Sequence, residues 1–290
     1  MLRSFLFVPG DNERRLAKAP SIDADALILD LEDAVVPERK AEARRHVADY
    51  LLQRKTDDRQ SVWVRINALD TDAAADDLAA VVPAAPDGIM LPKAHSALQV
   101  SLLAGMLDEL EATAGHTAEP IGIIPLVTET AAAVFQLGSY TPGMPRLRAL
   151  TWGAEDLSVI IGATQTRDEQ SRWLPVFQQV QSIVLLAAGA AGVPAIETIY
   201  SQFTDGKGLQ QIAERARQQG FTGMLAIHPQ QVPIINAIFA PHADEIAYAK
   251  RVVQKFAAAN GAGAIELDGK MLDEPHLRQA QRLLAASEQP

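Results

Sequence analysis

Apolar positions in this chain fall in short unbroken runs. The runs "SFLFVPG", "ALILDLED", "SVWVRIN", "GIMLPK", "IGIIPLVTE", "RALTWGAED", "PAIETIY" and "GMLAIHP" begin apolar or β-branched and end in polar, glycine or proline residues. A strand covered on both faces reads this way, because neither face needs polar side chains. Between the runs lie longer stretches of helical period rich in alanine, such as "PERKAEARRHVADYLLQ" and "RWLPVFQQVQSIVLLAAGAAG". Alternation of this kind predicts parallel strands with covering helices. Eight such units in about 240 residues predict an α/β fold, the (β/α)8 TIM barrel. The competing architecture is an open doubly wound sheet. No GxGxxG follows the first strand, and the count of eight favours the barrel.

Beyond "IHPQQV" the pattern changes. "PHADEIAYAKRVVQKFAAAN" has a helical period, with Asn260-Gly261 as a stop signal. "GAGAIELDGKMLDEP" reads as a glycine-rich hairpin, and a last helix runs from "HLRQAQRLLAAS". We therefore divide the chain into a barrel domain over 1–240 and a C-terminal extension over 241–290. A barrel does not need this tail, so it is expected to act as a lid or arm on a neighbouring subunit. "QRKTDDRQ" reads as a solvated loop.

Composition removes several classes of function. The 290 residues include no cysteine, which excludes a disulfide scaffold and cysteine zinc sites and fits a reducing compartment. The net charge of −10 argues against a general nucleic-acid binder. It does not argue against small anions, which local Arg and Lys can hold. "MLRSFLFVPGDNERR" carries too short an apolar run for a signal peptide. No segment offers the roughly 18 apolar residues of a membrane span. The expectation is a soluble, cytoplasmic protein without nucleic-acid or membrane partners.

In a barrel of this kind, function sits where strands end and βα loops begin. The polar residues at those ends are Asp30, Glu32 and Asp33, then Arg65 and Asn67, then Lys93, Glu129, Glu155 with Asp156, Glu197 and His228. For Glu155, Asp33 and Glu197, capping of the following helix is an equally good reading. Several acids around one mouth raise each other's pKa and call for a counter-charge, which a divalent cation supplies. Mg²⁺ uses one or two carboxylates and keeps several waters. Glu129 and Asp156, on neighbouring strands five and six, suit that role. Gly153 and Ala154 would leave room for a ligand to approach. Alternation along the strand sends Glu155 to the opposite face.

These residues carry a resemblance. The chain resembles the HpcH/HpaI aldolase and citrate lyase β-subunit family, in its CitE-like branch, nearly end to end. The shared stretches are "FVPG" at 7–10, "LDLEDAV" at 29–35, "VRIN" at 64–67, "LPK" at 91–93, "TET" at 128–130, "GAEDLS" at 153–158, "IHPQQ" at 227–231 and "DGKMLDEP" at 268–275. Their order and spacing are jointly specific. The resemblance implies a Mg²⁺-dependent barrel, with Mn²⁺ as a substitute metal, that breaks or forms a carbon–carbon bond beside an acyl thioester. It implies Glu129 and Asp156 as metal ligands. Arg65 is the implied substrate-binding arginine, grouped with Lys93 and Asn67, and Glu32 and Asp33 are implied to order metal-bound waters.

The tail gains a role from the same source. Related malyl-CoA and citramalyl-CoA lyases carry an aspartate in a "M-[IL]-D-x-P" motif that enters a neighbouring subunit's active site. "KMLDEP" places that catalytic role on Asp273, although an N-cap reading serves Asp273 on local grounds. A homotrimer or hexamer follows. The implied reaction is cleavage of citramalyl-CoA or malyl-CoA to acetyl-CoA and pyruvate or glyoxylate. The alternatives are a citrate lyase β subunit acting on a citryl carrier protein, a malyl-CoA thioesterase, and a non-catalytic barrel that binds CoA thioesters. This chain departs from the family pattern at Met224 (usually Lys after Gly), at His95 (often Glu) and at "AAAV" after "TET" (usually with an early Gly).

Overall fold

The fold is described from a computed structural model, which describes residues 2–54, 59–116, 120–259 and 263–288. The "QRKTDDRQ" loop in part, and the Asn260-Gly261 stop signal, lie outside the described residues. The chain divides into two compact units, Leu2–Ile238 and Phe239–Pro290 with Met1.

All eight apolar runs form strands of one parallel sheet. They are β1 (Ser4–Pro9), β2 (Ala26–Asp30), β3 (Ser61–Arg65), β4 (Gly88–Leu91), β5 (Gly122–Pro125), β6 (Leu150–Thr151), β7 (Ala195–Glu197) and β8 (Gly223–Ala226). The order is β5-β4-β3-β2-β1-β8-β7-β6. The two ends meet: Arg148 N donates to Ile123 O at 2.9 Å and Val127 N to Thr151 O at 3.0 Å. The sheet is a nearly closed (β/α)8 barrel.

The helices of this unit are α1 (Glu13–Lys18), α2 (Lys40–Gln53), α3 (Asp72–Val81), α4 (Ala97–Ala114), α5 (Ala131–Val134), α6 (Ala154–Ile160), α7 (Pro175–Ala191), α8 (Gly206–Gln219) and α9 (Val232–Phe239). Long helices stop where a left-handed residue is cheap: Gly115, Gly192 and Gly220 close α4, α7 and α8 with positive φ.

The barrel interior is a single apolar cluster drawn from the strands, including Phe5, Ile28, Trp63, Met90, Ile124, Ile196 and Leu225. Trp63 sets its shape. Its indole donates to Ser61 Oγ at 2.9 Å and lies against two strand glycines. A Cβ on Gly88 would sit 2.0 Å from Trp63 Cζ3, and one on Gly122 would sit 3.1 Å from Cη2. Overpacking a fixed core side chain is costly. Gly88→Ala is expected to destabilise the fold by about 3 kcal/mol in a denaturant titration. Gly105→Ala, in α4 where a Cβ meets nothing within 4 Å, should instead stabilise by roughly 0.5–1 kcal/mol. Equal small effects at both positions would mean that the Trp63 packing is not tight.

The second unit has its own core. It contains α10 (Ala243–Ala258), a hairpin of β9 (Ala264–Leu267) and β10 (Lys270–Asp273), and α11 (Glu274–Glu288). The hairpin turns on Asp268-Gly269, both at positive φ, the pairing that a two-residue turn between antiparallel strands requires. Val252, Phe256, Ile265, Leu267 and Leu272 pack together inside it.

Candidate active site

Alternation along the strands decides which strand-end residues enter the barrel mouth. Ile28 and Trp63 face the barrel interior, so Asp30 and Arg65, two residues on, face the same way. Asp30 takes Arg65 bidentately, Oδ1 from Nε at 2.8 Å and Oδ2 from Nη2 at 2.6 Å. Asp30 Oδ1 also accepts the Glu32 N–H at 2.9 Å, which fixes the turn that carries Glu32 and Asp33. The Arg65 guanidinium lies over the Phe7 ring, 4.8 Å from its centroid. Burial alone would pull this guanidinium down, but the Asp30 hydrogen bond and the charges of Asp30, Glu32 and Asp33 hold it above its ordinary value.

Glu32 is buried and meets two cations. Lys93 Nζ donates to its Oε1, and Arg65 Nη1 lies 3.1 Å from its Oε2, a contact without hydrogen-bond geometry. Asp33 is half exposed, with Lys93 Nζ 3.6 Å and Arg65 Nη1 3.9 Å away. Lys93 itself sits at φ +50°, a conformation that costs a non-glycine residue of order 1 kcal/mol or more. It aims the Lys93 N–H at Glu129 Oε2, 2.5 Å away.

Glu129 and Asp156 come together. Glu129 is buried at 3% exposure and hydrogen-bonds Asp156. Burial first, then the negative charges of Glu32 and Asp156, push its carboxyl up to about 8 against the Lys93 N–H. No group of three or more His, Asp or Glu among the described residues forms a ready-made metal cage. The pair still fits Mg²⁺, whose remaining positions are filled by water and ligand oxygens.

Several sequence-based expectations are corrected here. Strand β6 ends at Thr151, and Glu155 and Asp156 lie in the first turn of α6, so strand alternation does not apply to them. Both line the mouth cavity, where the positive end of the helix dipole favours acids. Gly153 lines the mouth cavity and also makes room for Glu129, since a Cβ there would sit 2.9 Å from Glu129 Cγ. Asn67 is fully engaged inside the protein. Its Nδ2 donates to Leu31 O and Asp77 Oδ2, and its Oδ1 accepts from Lys40 Nζ at 2.6 Å. It positions the β2 loop and does not line the cavity.

Glu197 is no helix cap. Ile196 faces the barrel core, so Glu197 faces outward under α7. There it accepts hydrogen bonds from Trp152 Nε1 at 2.8 Å, Thr198 N at 2.9 Å and Gln181 Nε2 at 2.5 Å. Burial pushes its carboxyl up to about 7. A raised carboxyl stabilises the fold fully below its unfolded value near 4.5, and that contribution is lost as pH rises through about 7. Wild type should lose about 2 kcal/mol of stability between pH 5 and pH 8 from this group. Glu197→Gln, neutral throughout, should lack that part of the slope in denaturant melts at the two pH values.

His228 stacks on the exposed Phe203 ring at 4.8 Å, and its Nδ1 accepts from Gln230 N. His95 is exposed, with its backbone N–H donating to Gln99 Oε1. Met224 is fully buried in β8.

Three supporting residues escaped the sequence reading. Lys40 holds Leu31 O, Glu32 O and Asn67 together. Asp77, fully buried, receives Asn67 and Arg44. Thr128 both donates to Gly153 O and accepts from Gly153 N, tying the end of β5 to the start of α6. Lys40 and Asp77 lie off the strand ends, and no local spacing marks them; Thr128 stands in the "TET" stretch, where only Glu129 was given a role.

The mouth cavity, about 300 Å³, has an acidic and cationic wall of Asp30, Asp33, Arg65, Glu129 and Asp156. Its apolar wall includes Phe7, Leu126, Ile199 and Ile227. Residues 3–229 match the family described as HpcH/HpaI aldolase/citrate lyase. The chain belongs to this family. It is 33% identical over 288 residues to a (3S)-malyl-CoA thioesterase of Cereibacter sphaeroides, covering 99% of this chain and 94% of that protein. It is 35% identical over 280 residues to a citrate lyase subunit beta-like protein of Mycobacterium tuberculosis, covering 97% and 93%. Among solved structures, the M. tuberculosis protein CitE in complex with magnesium, acetoacetate and coenzyme A superposes with a TM-score of 0.79. It is 34% identical to this chain, with 98% and 97% of the two chains covered.

Proposed function

We propose that this member of the family is a Mg²⁺-dependent carbon–carbon lyase that cleaves a 3-hydroxyacyl-CoA, citramalyl-CoA or malyl-CoA. The products would be acetyl-CoA and pyruvate or glyoxylate. The observation that carries the reading is the buried Glu129–Asp156 carboxyl pair beside Arg65 at the barrel mouth. The relatives support the chemistry, since the M. tuberculosis CitE structures hold magnesium with coenzyme A and acetoacetate, or with oxaloacetate.

Bound between Glu129 and Asp156, Mg²⁺ would supply Lewis acidity toward the substrate's carboxylate and hydroxyl oxygens. The chain's own residues do the rest. Asp30 and Phe7 hold Arg65 in one plane, ready to donate a pair of N–H groups to developing negative charge. Glu32 and Asp33 orient water near the metal position, and Lys93 neutralises them. As the carbinol hydroxyl gives its proton to water, the bond between the carbinol carbon and the α-carbon breaks, leaving the 2-oxo acid and a thioester enolate. Asp273, from the 241–290 tail of a neighbouring copy in a trimer or hexamer, gives the α-carbon its proton. Asp273 lies at the end of β10, half exposed, on a unit with its own core. A cytoplasmic setting fits a chain without cysteine.

Thioester hydrolysis of malyl-CoA is the second reading, favoured by the relatives of that name. Purified protein assayed separately on citramalyl-CoA and malyl-CoA, with Mg²⁺ and with chelator, tests both. Metal-dependent pyruvate or glyoxylate alongside acetyl-CoA supports the lyase. Malate with free CoA, and no oxo acid, supports the thioesterase. No metal-dependent turnover on either substrate defeats both readings.

A further inference from the structure

A second cavity, about 410 Å³, shares no lining residue with the mouth cavity and lies between the segment that precedes α7, the first turns of α7 and the face of α8. Its lining carries Arg167, Arg172 and Arg215 against one carboxylate, Asp168, in a chain whose net charge is −10. Asp168 is taken by Arg172, Nε to Oδ2 at 2.7 Å. Arg215 has no ion-pair partner among the described residues. Local composition here runs opposite to the whole.

The segment before α7 is built, not loose. Arg167 and Trp173 form an antiparallel bridge. Asp168 N donates to Arg172 O at 2.8 Å, and Leu174 N to Thr166 O at 3.0 Å. Asp168 Oδ1 also accepts from Gln170 N and Arg172 N. Ser171 closes the turn at φ +55°, a left-handed conformation that a serine adopts only at a cost. This framework stacks the Arg167 guanidinium on the Trp173 ring, 3.3 Å from its centroid.

Within that arrangement two donors are left over. Arg167 Nη1 reaches Ser171 O at 3.0 Å, but Arg167 Nη2 and Trp173 Nε1 are both shut off from water and have no partner. A buried unpaired donor costs about 1–3 kcal/mol, more when charged. Burial, only partly offset by the charge of Glu197, also pulls the Arg167 guanidinium down to about 10. Two N–H donors without a protein partner thus belong to residues that line the cavity, with Arg215 on its wall as well, and a small shift of the Arg167 and Trp173 side chains would offer them to an oxyanion seated there.

We propose that this cavity is a binding site for a small polyanion bearing phosphate or carboxylate groups, held by Arg167, Trp173 and Arg215. Arg167 gives the charged planar donor that oxyanions favour. Its stacking on Trp173 removes rotamer freedom before the ligand arrives. The cavity is wide enough for a ligand larger than a single phosphate.

The test uses full-length, chelator-treated protein with ¹⁵N-labelled tryptophan. The chain has three tryptophans, so each indole N–H gives its own signal, and Trp173→Phe assigns the one from Trp173. Inorganic pyrophosphate and citrate are titrated separately. The Trp173 signal is expected to move, saturably, with at least one of them, and the responding anion tells phosphate from carboxylate ligands. Arg167→Gln should weaken that binding by about tenfold or more, and Arg215→Gln, at an exposed position, by roughly threefold. Should Arg167→Gln fail to fold, the Arg215→Gln titration carries the test alone. A Trp173 signal that ignores both anions, or one whose response survives unchanged in the Arg215→Gln and Arg167→Gln proteins, overturns the proposal.

Discussion

Asp156→Asn is expected to leave the protein folded and to take its turnover away. On the proposed function, the expected loss in kcat on the hydroxyacyl-CoA substrate is on the order of a thousandfold, because the proposed charged metal ligand is replaced by a neutral one of the same shape. Mg²⁺ binding to the free protein, followed by calorimetry, should weaken in parallel by more than tenfold. Stability should move the other way. Asp156 faces Glu129, whose carboxyl is already pushed up by burial and by its acidic neighbours. Asp156 is one of the charges that make ionising Glu129 costly, and removing it lowers that cost, so the variant should melt at or slightly above the wild-type temperature. Such a trade of stability for function marks a binding site. The competing explanation makes Asp156 only a favourable acid in the first turn of α6. In that case the variant would lose about 0.5 kcal/mol of stability and keep its activity within about twofold. The two accounts therefore differ in the sign of the stability change as well as in turnover.

How far the site could be read from the chain depended on which physical signal carried each residue. Asp30 and Arg65 were legible because they extend a strand period, and Ile28 and Trp63 point the same way two residues earlier. The same rule, followed one step further, would have excluded Glu197. It stands one residue beyond inward-facing Ile196, and it is fully buried under α7 with Trp152 and Gln181. Asn67 shows where the rule stops. Strand β3 ends at Arg65, and past that point backbone direction is set by Asp77 and Leu31, which the local sequence does not announce. "TWGAED" reads as one long strand because its apolar run continues through Trp152. The pairing nonetheless ends at Thr151, and α6 begins at Ala154. Gly153 was recognised as a place of close approach, yet the approaching group is Glu129, 24 positions earlier in the chain and visible only after folding. The barrel itself was legible throughout, since eight doubly buried strands each carry their own apolar signature.

Asp273→Asn should be inactive for a different reason from Asp156→Asn, and mixing the two inactive proteins should restore activity. If Asp273 supplies the enolate proton, its amide cannot, and kcat falls by about a hundred- to ten-thousandfold, the range for losing a general acid. Affinity for a CoA thioester, measured by calorimetry, should change little. Asp273 lies in a unit with its own core, its Oδ1 2.6 Å from His276 Nδ1 at the start of α11. A purely capping role would instead cost about 1 kcal/mol of stability and leave turnover nearly intact. The mixing experiment asks where the aspartate works. In a closed ring whose sites each combine one chain's Glu129 and Asp156 with the next chain's Asp273, unfolding and co-refolding equal amounts of the two variants gives hybrid rings. About a quarter of their sites pair an intact mouth with an intact tail. Recovery of about a quarter of wild-type activity places Asp273 in a neighbour's site. Were Asp273 to act within its own chain, every site would keep one of the two defects, and the mixture would stay as inactive as its parents.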